Sequence, residues 1–421
     1  MTKSWVYHPA GGYLDQLSEH FFGRELPALL LMVIMLAVVL IFLALSSLVL
    51  IWLERKISAR IQNRMGPMMT GPGFLKNRSM WSGGLLQTAA DAIKLLIKEL
   101  IIPARADAVP FILAPVLIFG VSVSAFLVIP FGPAFSVVDL NIGLLYVISV
   151  SSLTVLSIIM AGWSSNNKYS LLGGLRSAAQ MLSYEIPLLF ALLGPILMAG
   201  TLSMQGIVEA QRELGVWFIV PSFLGAVIYY VAAIAEVNRP PFDIPEAESE
   251  LVAGYVSEYS GMMFAMFFLA EFSNMMLVSA IATTVFLGGW IVPFFPIPLE
   301  PSLLYTILGI LVFFVKMSVL ILIMMWIRWT FPRVRPDHLM NLGWKFMLPL
   351  AFVNLLICAG LAVLQAEASK TGGQVPWYVV VLVGGLSLGA VFLGLSLFKG
   401  SDGSSYELVG SKEEVDEVVA T

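Results

Sequence analysis

The stretch ALLLMVIMLAVVLIFLALSSLVLIWL, residues 28–53, decides the fold. No charge falls between Glu25 and Glu54. A helix crossing a bilayer needs about 20 consecutive apolar residues, and this run exceeds that. It is too long for the core of a signal peptide and no small-residue cleavage site follows it, so it reads as a retained membrane span. The rest of the chain repeats the pattern. Of 421 residues, 59% are hydrophobic and 12% charged, about half the roughly 25% usual in soluble domains. Mean hydropathy is +0.90. Apolar runs recur at 111–129, 142–163, 172–199, 216–237, 261–291, 303–326, 344–364 and 376–398, which makes about nine spans in all. Pro115, Pro187, Pro195 and Pro221 are expected to kink their helices, with neighbouring helices satisfying the freed backbone groups. The expected fold is all-α: a polytopic helical membrane protein.

The charges between the runs set its orientation. The connection 54–110 carries Arg55, Lys56, Arg60, Arg64, Lys76, Arg78, Lys94, Lys98 and Arg105, whereas those at 131–141 and 289–302 carry no Lys or Arg. Arg328, Arg333, Arg335 and Lys345 fall on the same side as the first group. Short loops rich in Lys and Arg stay in the cytoplasm. Residues 1–25 are then an exterior segment, 26–398 the membrane domain, 236–260 an acidic cytoplasmic loop, and the polar 399–421 a disordered cytoplasmic tail. The basic residues lie beside spans, so nucleic acid is not an expected partner; lipid is. The one cysteine, Cys358, sits in an apolar run and reads as a small buried hydrophobe. One Cys cannot ligate an iron–sulfur cluster, and His8, His20 and His338 all lie outside the spans, where a membrane haem finds no axial ligands. The chain is expected to carry no haem, flavin, iron–sulfur cluster or metal site of its own.

Two connections carry unusual chemistry. In the first, Leu85, Leu86, Ala89, Ile93, Leu96, Ile97 and Leu100 form a helical stripe, the pattern of an amphipathic helix lying in the membrane interface. The basic cluster ahead of it has two readings: topogenic charge meeting anionic lipid, or a polar wall around a lipid-soluble headgroup. In the second, the stretch from Glu236 to Glu271 holds seven carboxylates and one cation, Arg239. Pro245 with Glu246, Glu248 and Glu250 fits a helix start, where acids meet the positive end of the helix dipole. That does not account for Glu258, or for Glu271 inside a span. Glu185 and Lys316 lie inside two further spans. Ionisable groups at such depth are costly and mark function. Glu271 and Lys316 either pair structurally, or belong to a proton route linking Glu271 and Glu185 to Glu236, Glu246, Glu250 and Glu258. Clustered, partly desolvated acids repel one another, and their affinity for protons rises.

The segments ERKISARIQNRMGP (54–67), ADAIKLLIKE (90–99), AEVNRPPFDIPEAESELVAGYVSEYSGMMFAMFFLAEF (235–272) and RWTFPRVRPDHLMNLGWK (328–345) resemble those of the quinone-site membrane subunits, the H or NADH dehydrogenase subunit 1 type, of the proton-pumping NADH:quinone oxidoreductase, respiratory complex I. The likeness runs from the first span to the eighth. It implies a subunit at the junction of the membrane arm and the redox arm, forming most of a tunnel for its substrate, ubiquinone or menaquinone. By that likeness Glu54, Arg55 and Lys56 end the first span at the tunnel mouth, and Arg60, Arg64, Arg333 and Arg335 are basic residues near the quinone path. Phe242 and Asp243 would lie near the inner tunnel and the docking face. Glu185, Glu236, Glu246, Glu248, Glu250, Glu258 and Glu271 would form the acidic route, with Asp91 between tunnel and route. Partners implied are the other membrane subunits and the soluble subunits that supply the quinone headgroup ligands and the terminal iron–sulfur cluster. The implied location is the bacterial cell inner membrane. The sequence departs from the family where Gln87-Thr88 replaces Gln-Pro, where GFLKNRSMWSGG (73–84) lengthens a link, and in its ninth span.

The resemblance extends to the homologous membrane subunit of a membrane-bound hydrogenase or of a complex fed by another electron donor, but the retained arginine set and the ERK-to-NRMGP loop favour a quinone tunnel. A stand-alone ion transporter would show repeats with broken helices in matching halves, a symmetry this sequence lacks.

Overall fold

The structure is a computed structural model that describes residues 28–68, 70, 84–133, 137–244, 251–292, 303–370 and 377–402. Among these, seven helices are long and apolar enough to cross a membrane, and two shorter apolar stretches, Phe223–Glu236 and Tyr378–Val391, occupy the remaining expected positions. The helices are α1 (Ala28–Ile61), α2 (Leu86–Ile97), α3 (Ala108–Phe126), α4 (Gly143–Ser151), α5 (Leu153–Ser164), α6 (Lys168–Ala199) and α7 (Met204–Leu214). After them come α8 (Phe223–Glu236), α9 (Gly261–Val285), α10 (Leu303–Thr330), α11 (Pro336–Asn341), α12 (Leu348–Lys370) and α13 (Trp377–Asp402).

Several boundaries differ from the apolar runs for identifiable reasons. Helix α1 runs two turns past the apolar stretch to Ile61, so Glu54, Arg55, Lys56 and Arg60 are helical. The span expected at 142–163 is two helices, α4 and α5, parted at Ser152. Helix α8 starts at Phe223 instead of 216, because Pro221 lacks the N–H that a helix interior requires and sits in the turn ahead of it. Helix α9 stops at Val285, ahead of Gly288 and Gly289, both at positive φ. Pro115, Pro187 and Pro195 lie inside α3 and α6 as expected. The last helix continues through residue 402; residues 1–27 and 403–421 lie outside the described residues.

Helix α6 is the axis of one half, packed on α12, α8 and α5, while α9 organises the other, against α3, α10, α1 and α2. Between them lies a core of large side chains, including Tyr184, Tyr229, Phe126, Phe272, Phe286 and Phe313, all nearly inaccessible. A second core stacks Tyr259 on Phe111 at 4.1 Å. Helix-to-helix burial of this kind satisfies each backbone within its own segment, which a bilayer demands. Outward faces of α1 and α10 stay apolar and exposed, as at Ile41, Leu45, Leu311 and Val315.

Two ends can be told apart. At one, here the basic end, loops knit together: Asp107 N–H donates to Ser164 O, Asn166 to Arg105 O, and Val334 N–H to Pro241 O. At the far end, Leu144 N–H donates to Leu202 O and Ile219 N–H to Phe286 O. Between α11 and α12 the chain takes one wide π-turn, Leu342–Met347. Tyr184 on α6 braces the base of that turn, its hydroxyl donating to Leu339 O at 2.8 Å.

Candidate functional site

The site grows from a tight turn after α8. Asn238 takes positive φ, which Asn tolerates better than most residues. The turn is closed by Arg239 N–H to Ile234 O and Phe242 N–H to Arg239 O. Gln180, buried on α6, clamps it from outside, its amide donating to Ala235 O at 2.8 Å and to Phe242 O at 2.7 Å. The result is that Arg239, 3% exposed, points between α1, α9 and α10.

There it joins two carboxylates. Arg239 Nη1 lies 2.7 Å from Glu54 Oε2, and its Nε lies 2.7 Å from Glu271 Oε1. Arg328 Nη1 holds the other oxygen of Glu54. The Arg239 guanidinium also lies over the Phe272 ring, 4.4 Å from its centroid. Two acids and two guanidinia from four chain segments thus form an ion-paired network, with Glu54 and Arg239 buried and Glu271 and Arg328 half-buried. Burial of ions is costly unless geometry pairs them well, and the planar fork of Arg can hold two carboxylates at once where Lys offers a point charge. Beside it, Asp243 pairs with Arg333 at 3.1 Å. Burial pushes the Asp243 carboxyl up to about 6, with Arg333 pulling the other way.

A second group lies deeper. Glu185 on α6 and Glu236 at the end of α8 line one small cavity of about 30 Å³, with Tyr229, Asn274, Ser151 and Thr154. A cavity needs at least about 10–15 Å³ to hold a water, so this one has room for water. Ser152, at the break between α4 and α5, donates its hydroxyl to Glu185 Oε1. Asn274 Oδ1 accepts from Ser122 at 2.7 Å.

The other expected residues are dispersed. Asp91 pairs with Arg55 at 2.6 Å and accepts from Gln87, at the surface of α2. Lys56 and Arg60 line both an apolar groove of about 640 Å³ between α1 and α10 and an adjoining polar pocket of about 470 Å³, which Arg64 also lines. Phe242 is buried, its ring tilted against Tyr184 at 6.1 Å. Arg335 is exposed at the start of α11. Glu246, Glu248 and Glu250 lie outside the described residues.

One expectation needs correction. Glu271 does not pair with Lys316. Its partner is Arg239, and Lys316 donates instead to three carbonyls beyond the end of α9, some 16 residues or about 24 Å farther along that axis at about 1.5 Å per residue. Glu258, expected on the outer part of the acidic route, lies apart from Glu185. It accepts from Asn167 at 2.7 Å, at the N-cap of α6, about 27 Å along that helix from Glu185 by the same rise. The sequence pattern assigned no site role to Arg239 or Gln180, and Arg328 counted only as an orienting charge. Arg239 had a signal, as the sole cation within the acidic stretch. Gln180 had none, because its value lies in reaching two carbonyls from another segment.

Fold and site define a class: helical membrane proteins in which ionisable side chains from several spans are paired inside the bundle. Residues 33–359 match the NADH dehydrogenase family. Similar proteins include the H subunit of the NADH-quinone oxidoreductase of Carboxydothermus hydrogenoformans, 46% identical over 83% of this chain and 94% of the relative. That of Brevibacillus brevis is 48% identical over 80% and 94%, and that of Rhodospirillum rubrum 45% identical over 82% and 98%. The chain belongs to the NADH dehydrogenase family.

Proposed function

We propose that this chain is the quinone-site membrane subunit of a proton-pumping NADH:quinone oxidoreductase, forming a quinone access path and the carboxylate route that couples quinone reduction to proton movement. The observation that carries the reading is the Glu54–Arg239–Glu271–Arg328 network, buried at Glu54 and Arg239 and continued through a single turn to Asp243 on one side and Glu236 on the other. Quinone, ubiquinone or menaquinone, would reach the basic end along the α1 side, past Lys56 and Arg60. Its headgroup ligands and the electron-donating iron–sulfur cluster would come from soluble partner subunits, and protons would leave toward other membrane subunits. The basic end would face the cytoplasm of a bacterial cell, with the N-terminus outside.

The coupling is electrostatic. Negative charge on a reduced quinone strengthens proton binding by nearby carboxylates. At about 10 Å and an effective dielectric of about 20 the interaction is about 1.7 kcal/mol, a little more than one pKa unit. Arg239 would transmit the change, since weakening its hold on Glu54 strengthens its hold on Glu271. From the turn, Glu236 and Glu185 would take the proton through waters of their shared cavity.

The test uses the assembled complex in membrane vesicles. Glu236→Gln and Glu185→Gln are each expected to lower the number of protons pumped per quinone reduced, because each removes a group that can carry a proton. If reductase activity and pumping both persist unchanged in the two variants, the proposal fails.

A further inference from the structure

The sequence FLGGWIV (286–292) follows α9 directly. Gly288 and Gly289 adopt φ of 69° and 53°, a region that glycine enters without steric cost. Neither tolerates a side chain: a Cβ on Gly288 would stand 2.8 Å from Trp217 Cδ1, and one on Gly289 3.0 Å from Val208 Cγ2. Two left-handed residues in succession curl the chain so that the alternate carbonyls of Leu287, Gly289 and Ile291 point at one spot. Lys316 Nζ occupies it, donating to the three oxygens at 2.7, 2.8 and 2.7 Å. The Trp217 ring covers the ammonium at 4.7 Å from its centroid, while Trp217 Nε1 donates to Ile291 O at 3.1 Å.

An ammonium has three N–H donors, and all three are used. A ring face supplies further attraction for the cation. Lys316 comes from the middle of α10, where an unneutralised charge is expensive and tends to be functional. It meets dipoles, so the positive charge is held but not cancelled. Ile281, the last residue of α9 to line the Glu185–Glu236 cavity, lies six residues before Leu287, about 9 Å along the axis at about 1.5 Å per residue.

We propose that the Leu287–Gly289–Ile291 carbonyl cradle is a primary-ammonium site filled by the protein's own Lys316, and that this tethered cation seals the far end of the bundle against inward proton leak. The cradle stands on geometry alone, whereas the sealing role rests on the carboxylate reading above. A fixed positive charge at a narrow opening depletes cations locally, by an effect of the same kind that concentrates counter-ions tenfold or more in charged clefts.

The experiment has two arms, both with the assembled complex. In vesicles, Lys316→Ala is expected to raise passive proton permeability about tenfold and to lower protons pumped per quinone reduced. In detergent, n-propylammonium, which replaces the deleted atoms, is expected to raise the melting midpoint of Lys316→Ala by about 3 °C or more; tetramethylammonium, which has no N–H, is expected to leave it unmoved. Should Lys316→Ala fail to assemble, Trp217→Ala keeps the lysine and is expected to show the same leak at smaller amplitude. Wild-type proton retention in the variant that assembles overturns the seal, and equal rescue by both amines, or by neither, overturns the cradle. If pumping survives Glu236→Gln while propylammonium still rescues, the carboxylate reading falls and the cradle stands.

Discussion

Arg239 holds Glu54 and Glu271 together at 3% exposure, so its removal leaves two acids without that partner in a dry setting. Breaking a buried pair by deleting one member costs about 3–5 kcal/mol. Arg239→Met is therefore expected to lose most assembled complex on native gels, and adding Glu271→Gln is expected to recover part of it, because the second change removes the orphaned charge. Arg239→Lys is expected to behave like the Met variant in kind, since one ammonium cannot reproduce the fork. Asp243 carries a pH signature. Its carboxyl titrates at about 6 in the fold, against an ordinary value of 3.8. The native state thus keeps its proton to higher pH than the unfolded chain. The stability it contributes is present below about pH 4 and is lost as pH rises through about 6, up to about 3 kcal/mol at about 1.4 kcal/mol per unit. Melting midpoints followed from pH 4 to 7 are expected to fall less steeply in Asp243→Asn than in the native protein.

Elements meet closely where they position these residues. Gly173 on α6 packs against the backbone of Gly254, in the short 3₁₀ turn Gly254–Val256, and a Cβ there would come within 2.6 Å of Gly254 Cα. Backbone cannot swing aside as a side chain can, so Gly173→Ala is expected to cost about 1–3 kcal/mol, read as a lower melting midpoint of the complex. The same contact helps set Glu258, four residues beyond Gly254, at the N-cap of α6. The spans were legible as apolar runs, and the stripe after Leu85 became α2. Helix α7, by contrast, went unread, although Ser203 caps its start, Gly215 ends it in the left-handed region, and Ile207, Val208 and Gln211 share its buried face. Hydropathy alone passed over it because the segment is too polar to resemble a span. The pairing of Glu54 with Arg239 was not legible at all. Those residues lie 185 positions apart, and nothing in either local pattern says that α1 and the turn after α8 become neighbours.

At the scale of the whole molecule, charge separates the ends. The proposed orientation predicts labelling by a membrane-impermeant maleimide. Native Cys358 is buried, so single introduced cysteines report on a quiet background. Asn141→Cys, at an exposed far-end position, is expected to label in intact cells. Ala104→Cys, exposed at the basic end, is expected to label only after the membrane is opened. The reverse pattern would invert the molecule and the proton route with it. The expected orientation rests on loop charges, to which topogenesis responds directly. The separation of the acids into the network, the cavity pair and the outlying Glu258 was not readable, since it depends on how far along each helix a residue sits once the helices have packed.

The wide turn at Leu342–Met347 sets an angular phase between the segments on its two sides. Each helical residue advances the screw by about 100°, and a π-turn accommodates one residue beyond the α repeat. Deleting a single residue from this turn would let α11 and α12 run on as one ordinary helix, leaving the chain continuous and its hydrogen-bond ladder intact. It would also rotate Leu339 away from the Tyr184 hydroxyl and swing Arg333, upstream on the same segment, out of reach of Asp243. A length change of one residue would here mis-aim one whole side of the ion-paired loop.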